Sequence, residues 1–229
     1  MRSLFTILVR PRETLRALRE RPRWLVPFLI LAAAHVMLLF AADAQATRAV
    51  LAHLPPSATP SDRTEVAAML SSELPVRSLF QPIRLLAGWS TFAGILYVFI
   101  RVLKPPEPVP FGRLLALEVH AETVLLLGGV SSLLSPWIIG HPSELAHLTP
   151  PFSASWLLPA SAMFPLFSLL SSVHIFTLWY TVILTVGIRI FCGVTVRKAV
   201  VITVSAWILS VFFEIGILSL LADRLHFHV

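Results

Sequence analysis

The chain has 229 residues, of which 56% are hydrophobic and 13% are charged, and its mean hydropathy is +0.82. Soluble globular domains carry about 25% charged residues, so this composition excludes that class and predicts an integral membrane protein. The formal net charge of +6 does not indicate nucleic-acid binding. The basic residues stand at the ends of apolar runs rather than in a solvated patch with interleaved aromatic residues.

Residues 1–23 form a basic leader with an amphipathic pattern. Pro11 suits the first position of a helix, and Leu15 and Leu18 share one helical face. The opposite face carries Arg12, Arg16 and Arg19. We expect this leader to lie along the inner membrane surface, attracted to anionic lipid headgroups. A secretory signal is a poorer interpretation, because the apolar run that follows is too long and the charged leader too extended.

Five apolar runs reach or approach the length that a helix needs to cross a ~30 Å hydrocarbon core, about 20 residues. The runs cover residues 24–42, 84–103, 113–138, 161–188 and 199–222. The prolines of "KPPEPVP", at 104–110, cannot continue a helix and force a short turn. The pattern predicts an all-α integral membrane protein, a five-helix transmembrane bundle followed by a short tail at 223–229.

The one sizeable loop lies between the first two runs, at residues 43–83. Its "PPSATPSD" segment is typical of a linker, and Asp62 and Glu65 are predicted to form the capping box of a helix. About forty residues cannot build an independent core. We therefore expect one membrane domain over residues 24–222.

The distribution of basic residues predicts the orientation. Thirteen of the eighteen lie on the side of the N-terminus and five on the other side. Cytoplasmic flanks hold Lys and Arg in excess, so we expect a cytoplasmic N-terminus and an outer C-terminus. Sixteen of the eighteen are arginine and asparagine is absent, a bias typical of GC-rich genomes. We interpret this as a protein of a bacterial cytoplasmic (inner) membrane.

Residues 167–209 carry a recurring set of features: Phe176, Trp179, Leu184, Gly187, a turn of small residues with a basic residue, Lys198-Ala199, and Trp207. With these features the segment resembles the bacterial branch of the Ypt-interacting-protein (Yip) domain family. The "PRETLRALRERPRW" leader and the "PFGRLLAL" that opens the third run are similar too. The resemblance implies five helical spans with a cytoplasmic N-terminus. For eukaryotic relatives it implies Rab GTPase binding and vesicle traffic or membrane shaping. This chain lacks their long N-terminal region and "DLYGP"-type motif, so we do not expect Rab-type GTPase binding.

Titratable residues inside the predicted spans are the candidate functional residues, because ionisable groups within the bilayer face the bundle interior or water. At 1.5 Å per residue, Glu118 should lie about 7 Å from the inner end of its span, near the interface, and Glu122 about 13 Å deep. The two share a helical face, whereas His120 points nearly the opposite way. Because two like charges one turn apart repel in a low dielectric, we expect at least one of the two carboxyl groups to carry a proton.

Glu122 could meet histidines of other spans at similar depth. His35 should lie about 16 Å deep in the first span, and His174 near the middle of the fourth. We define Glu122, His35 and His174 as the polar cluster. It could hold the helices together by interhelical hydrogen bonds, relay protons, or bind a divalent metal. Farther out, Glu214 is expected to pair with Arg84 as a structural ion pair.

Signatures of enzymes are absent from the sequence. There is no HExxH, GxSxG, paired Glu with a downstream His, or Gly-rich phosphate loop. The lone Cys192 excludes an intramolecular disulfide and any CxxC site. We therefore expect no catalytic residues, no cofactor and no resident metal.

Two functions follow as hypotheses. The first is a non-enzymatic scaffold or accessory subunit in membrane transport or envelope organisation. Its partners would be the lipid bilayer and a membrane-protein complex or further copies of the chain. The second is a small proton-coupled transporter or channel that uses the buried Glu and His residues. An intramembrane enzyme is a third, weaker alternative.

Overall fold

The structure, a computed structural model, describes residues 2–52, 54, 57, 59–104, 108–139, 153–158 and 164–225. All regular structure within these ranges is helical. The α-helices are α1 (Arg2–Val9), α2 (Pro11–Glu20), α3 (Leu25–Ala52), α4 (Pro60–Ser71), α5 (Leu74–Leu103), α6 (Phe111–Ile139), α7 (Phe164–Ser171), α8 (Ile175–Cys192) and α9 (Val196–Leu225). A short 3₁₀ helix, Ala154–Leu157, precedes α7.

Five stretches of the described chain are long and apolar enough to cross a membrane. They are Leu25–Arg48, Pro60–Leu103, Phe111–Leu134, Ile175–Cys192 and Val196–Phe213. The predicted all-α fold with five membrane-spanning helices is confirmed. Of the tail predicted at 223–229, residues 223–225 belong to α9, which continues to Leu225, and residues 226–229 lie outside the described ranges.

The fourth span is shorter than the apolar run that predicted it. Within residues 161–188 the helix breaks, and α8 begins only at Ile175. His174 is its N-cap, with extended backbone, and its imidazole accepts a hydrogen bond from the Thr177 backbone N–H. The same apolar composition continues on both sides of the break, so hydropathy alone could not show it.

The second span begins earlier than predicted. Part of residues 43–83, predicted to be a loop, is helical, because α3 continues to Ala52 and α5 already starts at Leu74.

The helix between them, α4, is capped by Thr59. The Thr59 hydroxyl accepts from the Asp62 backbone N–H at 3.2 Å, and the Asp62 carboxylate accepts from the Thr59 N–H at 2.8 Å. The predicted pairing of Asp62 with Glu65 is therefore wrong. Pro60 fixes the start, since it suits the first helical position.

Helix α6 is the central element of the bundle. Residues 114–124 are all buried, eleven in succession, and the helix contacts α1, α2, α3, α5 and α8. A helix that is buried around its whole circumference needs neighbours on every side. The spans α3, α5 and α8 therefore surround α6, whereas α9 packs against α5 and α8. Two-thirds of the residues in the apolar window of α6 (67%) are buried, against 28% for α9.

The leader docks on the bundle rather than presenting its apolar face to lipid. Ile7 and Leu15 are fully buried, Leu18 is 5% exposed, and both leader helices contact α6. Each buried Leu or Ile side chain stabilises the docked leader by about 1.5–3 kcal/mol. The predicted amphipathic pattern is present, but its apolar face is covered by protein, because the ends of α6 and α8 offer a closer apolar surface.

Helix α8 approaches α6 closely at Gly187. A methyl group at this position would overlap the Leu117 side chain, which is fully buried and has no open space to enter. Glycine is therefore required here by the close packing of the two helices. Gly193, with φ 63°, ends the same helix in the left-handed conformation.

Gly187→Ala should lower the free energy of unfolding by about 1–3 kcal/mol, because overpacking forces Leu117 or the α6 and α8 backbones to shift. Thermal unfolding in detergent, followed by tryptophan fluorescence, measures the change. Gly94→Ala in α5 is the matched control, since nothing lies within 4 Å of the added carbon there. Equal losses in the two variants would contradict close packing at Gly187.

Candidate functional site

Glu118 lies inside the bundle and is paired with α8. Its side chain is 2% exposed, and the Tyr180 hydroxyl donates to the carboxyl group, 2.7 Å from Oε1 and 2.8 Å from Oε2. Glu118 is therefore covered by protein, and its predicted depth near the inner interface stays a prediction. Depth along a helix does not show which way a side chain points, and here all directions from α6 meet protein.

Sequence reasoning did not identify Tyr180 as a partner. It is 3% exposed and packs beside Phe92, with ring centroids 6.0 Å apart. Tyrosine is enriched at membrane interfaces, where its hydroxyl meets water. A tyrosine within an apolar span therefore signals a buried hydrogen-bond partner, and this signal was available in the sequence.

Glu122 is paired with α3. Its Oε1 lies 3.5 Å from Nε2 of His35. His35 Nδ1 lies 2.9 Å from the carbonyl oxygen of Leu31, which can only accept, so Nδ1 carries a proton. Nε2 is therefore the ring nitrogen that faces the Glu122 carboxyl group. Trp89 also packs edge-on against the imidazole, at 5.9 Å between ring centroids.

His174 lies on the same cavity as the two glutamates but has a structural partner of its own. Its ring nitrogens lie within 3.3 Å of the Thr177 hydroxyl, and it caps α8. It is at the beginning of the span helix rather than at mid-span. The structure thus joins two members of the polar cluster, His35 and Glu122. His174 shares only the lining of the cavity with Glu122.

This cavity has a volume of about 680 Å³ and is bounded by α5, α6, α8 and α9. Its polar lining comprises Arg84, Thr91, Glu118, Glu122, Ser172, His174, Thr177, Tyr180 and Ser210. No group of three or more His, Cys, Asp or Glu side chains in the described ranges is placed to hold a metal ion. The arrangement can bind a small polar species or move a proton between Glu122 and His35.

His120 faces a different part of the molecule. It is 1% exposed, its Nδ1 donates to the Ala116 carbonyl oxygen at 2.8 Å, and it borders a cavity of about 950 Å³ beside the leader. That cavity is lined by Thr14 and Trp24 among others. His120 and the two glutamates of α6 therefore belong to separate surroundings.

Arg84 lies on the wall of the first cavity, where its Nε donates to Gln81 Oε1 at 3.0 Å. Its predicted partner Glu214 falls in α9, but the Glu214 side chain lies outside the described residues. The ion pair stays a prediction.

The fold and the site define a multi-pass helical membrane protein whose central helix carries buried carboxyl groups bonded to two different neighbours. The family model of the Yip1 domain matches residues 5–217. The chain therefore belongs to the Yip1 domain family, and the resemblance drawn from residues 167–209 is confirmed for nearly the whole chain. No curated protein and no solved structure matches it.

Tyr180→Phe should destabilise the bundle by about 1–2 kcal/mol, because it removes the hydroxyl that Glu118 accepts from and leaves a buried carboxyl group unpaired. Tyr97→Phe is the control. Its hydroxyl accepts from the exposed Arg101 guanidinium at 2.6 Å, and losing an exposed bond costs little. Thermal unfolding in detergent compares the two, and Glu118→Gln in the Tyr180→Phe background should recover part of the loss. A Tyr180→Phe variant as stable as Tyr97→Phe would show that the pair contributes nothing.

Proposed function

We propose that the protein is a non-enzymatic scaffold or accessory subunit of a bacterial cytoplasmic membrane, active in membrane transport or envelope organisation. One observation carries the proposal: each carboxyl group of α6 is engaged by a side chain of another helix. Glu118 binds Tyr180 of α8, and Glu122 contacts His35 of α3. Polar groups in such pairs hold transmembrane helices in register, which is what a rigid scaffold requires.

The outer surface of the bundle supports an assembly role. Helices α3 and α9 have only 22% and 28% of their apolar windows buried. Their exposed side chains include Met37, Phe40, Phe212 and Phe213. Such faces suit contact with lipid, with another membrane protein, or with a second copy of the chain. These are the partners that we propose, without nucleic acid and without a Rab-type GTPase.

The proposed orientation has the N-terminus in the cytoplasm. The positive-inside rule assigns the end of the bundle that carries most Lys and Arg to the cytoplasm. Arginines of the leader, of the start of α6 and of the end of α8 line one cavity, so they lie at the same end. Membrane potential and anionic lipids would favour that end on the inner side.

A second candidate function is a small proton-coupled transporter or channel. The observation that favours it is the contact of Glu122, which lines the cavity of about 680 Å³, with His35, whose Nε2 lies 3.5 Å from the Glu122 carboxyl oxygen. A buried carboxyl group in contact with a histidine beside a polar cavity is an arrangement found in proton relays.

Purification of the full chain from its native membrane in mild detergent tests the scaffold. A stoichiometric protein partner, or a defined homo-oligomer, identified by mass spectrometry, supports it. A lone chain that moves protons or a solute in reconstituted vesicles would overturn it in favour of the transporter.

Glu122→Gln separates the two functions, because the amide keeps hydrogen-bonding capacity but cannot release a proton. In a scaffold the variant should lose about 1–2 kcal/mol of stability and show, like the unaltered protein, no proton flux in vesicles under an imposed pH gradient. In a carrier it should remain folded and lose the flux that the unaltered protein has. Glu65→Gln, on the exposed helix α4, is the matched control for removal of one carboxylate.

A further inference from the structure

An arginine-lined cavity lies at the leader end of the bundle, away from the polar cluster. Its volume is about 830 Å³. We call it the arginine cavity. The charged residues that line it are Arg12, Arg16, Arg19, Glu20, Arg113 and Arg189. Val186, Ile190 and Gly193 of the α8 end complete the lining.

Three elements far apart in sequence assemble this cavity. Arg12, Arg16 and Arg19 recur at helical spacing on one face of α2, next to the face that carries the buried Leu15 and Leu18. Because those leucines hold α2 against α6 and α8, the arginine face is turned to the rim of the bundle. There Arg113, in the first turn of α6, and Arg189, in the last turn of α8, complete it.

The electrostatics of the cavity call for an anion. Five guanidinium groups and one carboxylate give a formal charge of +4. Arginine remains charged at any physiological pH, so the repulsion among the five guanidinium groups cannot be relieved by loss of protons. The planar guanidinium donates two parallel hydrogen bonds to phosphate oxygens, which makes clustered arginines a phosphate-binding arrangement.

The position of the cavity indicates where the phosphate comes from. Arg113 and Arg189 stand within a turn of the ends of two membrane-spanning helices, the level at which lipid headgroups lie. The Val186 and Ile190 side chains, one turn apart on α8, add an apolar wall beside the charged one. A molecule with a phosphate next to acyl chains satisfies both walls.

We propose that the arginine cavity is a binding site for the phosphate of an anionic phospholipid headgroup. The bound headgroup bridges α2 to α6 and α8 and so fastens the leader to the bundle. This site is independent of the polar cluster and of the function proposed for the chain.

Lipid retention by the full chain tests the proposal. The protein is delipidated in a phosphate-free neutral detergent and then given cardiolipin, phosphatidylglycerol or phosphatidylcholine, and bound lipid is counted by native mass spectrometry. We expect cardiolipin and phosphatidylglycerol to bind and to raise the unfolding temperature, and phosphatidylcholine to do neither. Equal retention of anionic and zwitterionic lipid would overturn the proposal.

Paired substitutions assign the binding to the cavity. Arg113→Gln with Arg189→Gln should weaken cardiolipin binding about tenfold or more, since two charge-assisted contacts are lost. Arg197→Gln with Lys198→Gln removes the same charge from the start of α9, outside the cavity lining, and should change binding less than threefold, as a general charge effect. Equal weakening in both pairs would reduce the effect to attraction by net charge and overturn the site.

A second pair, Arg12→Gln with Arg16→Gln, tests the site without disturbing the fold, because both side chains are exposed on α2. This pair should weaken cardiolipin binding similarly while the unfolding temperature without lipid is unchanged. Full binding in a folded Arg12→Gln, Arg16→Gln variant would exclude the leader from the site and overturn the proposal. Inorganic pyrophosphate is the soluble probe. Suppose that it binds saturably, that both paired variants of the cavity arginines lose this binding, and that cardiolipin does not displace it. The cavity then binds phosphate from a soluble molecule, and the assignment to a lipid is overturned.

Discussion

The burial of α6 on every side is the constraint on which the rest of the structure depends. Residues 114–124 of α6 are surrounded by protein, so a carboxyl group there needs a partner on a neighbouring helix. Glu118 and Glu122 lie on one face, and their partners come from two different neighbours, Tyr180 on α8 and His35 on α3. The two carboxyl groups thereby set how α3 and α8 are placed around the centre.

Close packing and polar pairing act together in this arrangement. Gly187 lets α8 approach α6 near Leu117, one residue before Glu118, and the short separation brings the Tyr180 hydroxyl within reach of the carboxyl group. Small residues and interhelical hydrogen bonds are the main attractive contributions available between helices in lipid, where the hydrophobic effect is absent. Within the continuous apolar core, these contacts fix how α6 and α8 are placed relative to each other.

The leader gives the bundle a second region of different chemistry. Its docking through Leu15 and Leu18 turns an amphipathic segment into part of the protein wall. As a result a strongly basic cavity stands at one end of the bundle, while the polar cavity lined by Glu118 and Glu122 lies among α5, α6, α8 and α9. The first suits an anion at the membrane surface, and the second suits a proton or a small polar species within the bundle.

What the sequence by itself determined is the class of the protein, the number of spans and the family. Hydropathy depends on composition over about 20 residues, which is a local property, so it predicted five membrane helices without knowledge of their packing. Helical geometry also separated His120 from the two glutamates, because a spacing of two residues turns a side chain to the other face.

Only the tertiary structure decided which partners these residues have. Tyr180 and Glu118 are 62 residues apart, and no local rule joins them. The helix that follows the break begins at Ile175, where His174 caps it. The burial of the Glu118 side chain depends on the helices that surround α6. The sequence also did not determine what covers the apolar face of the leader. An amphipathic pattern shows that one face is covered, but either lipid or protein can cover it. The packing of the leader on α6 and α8 selects protein.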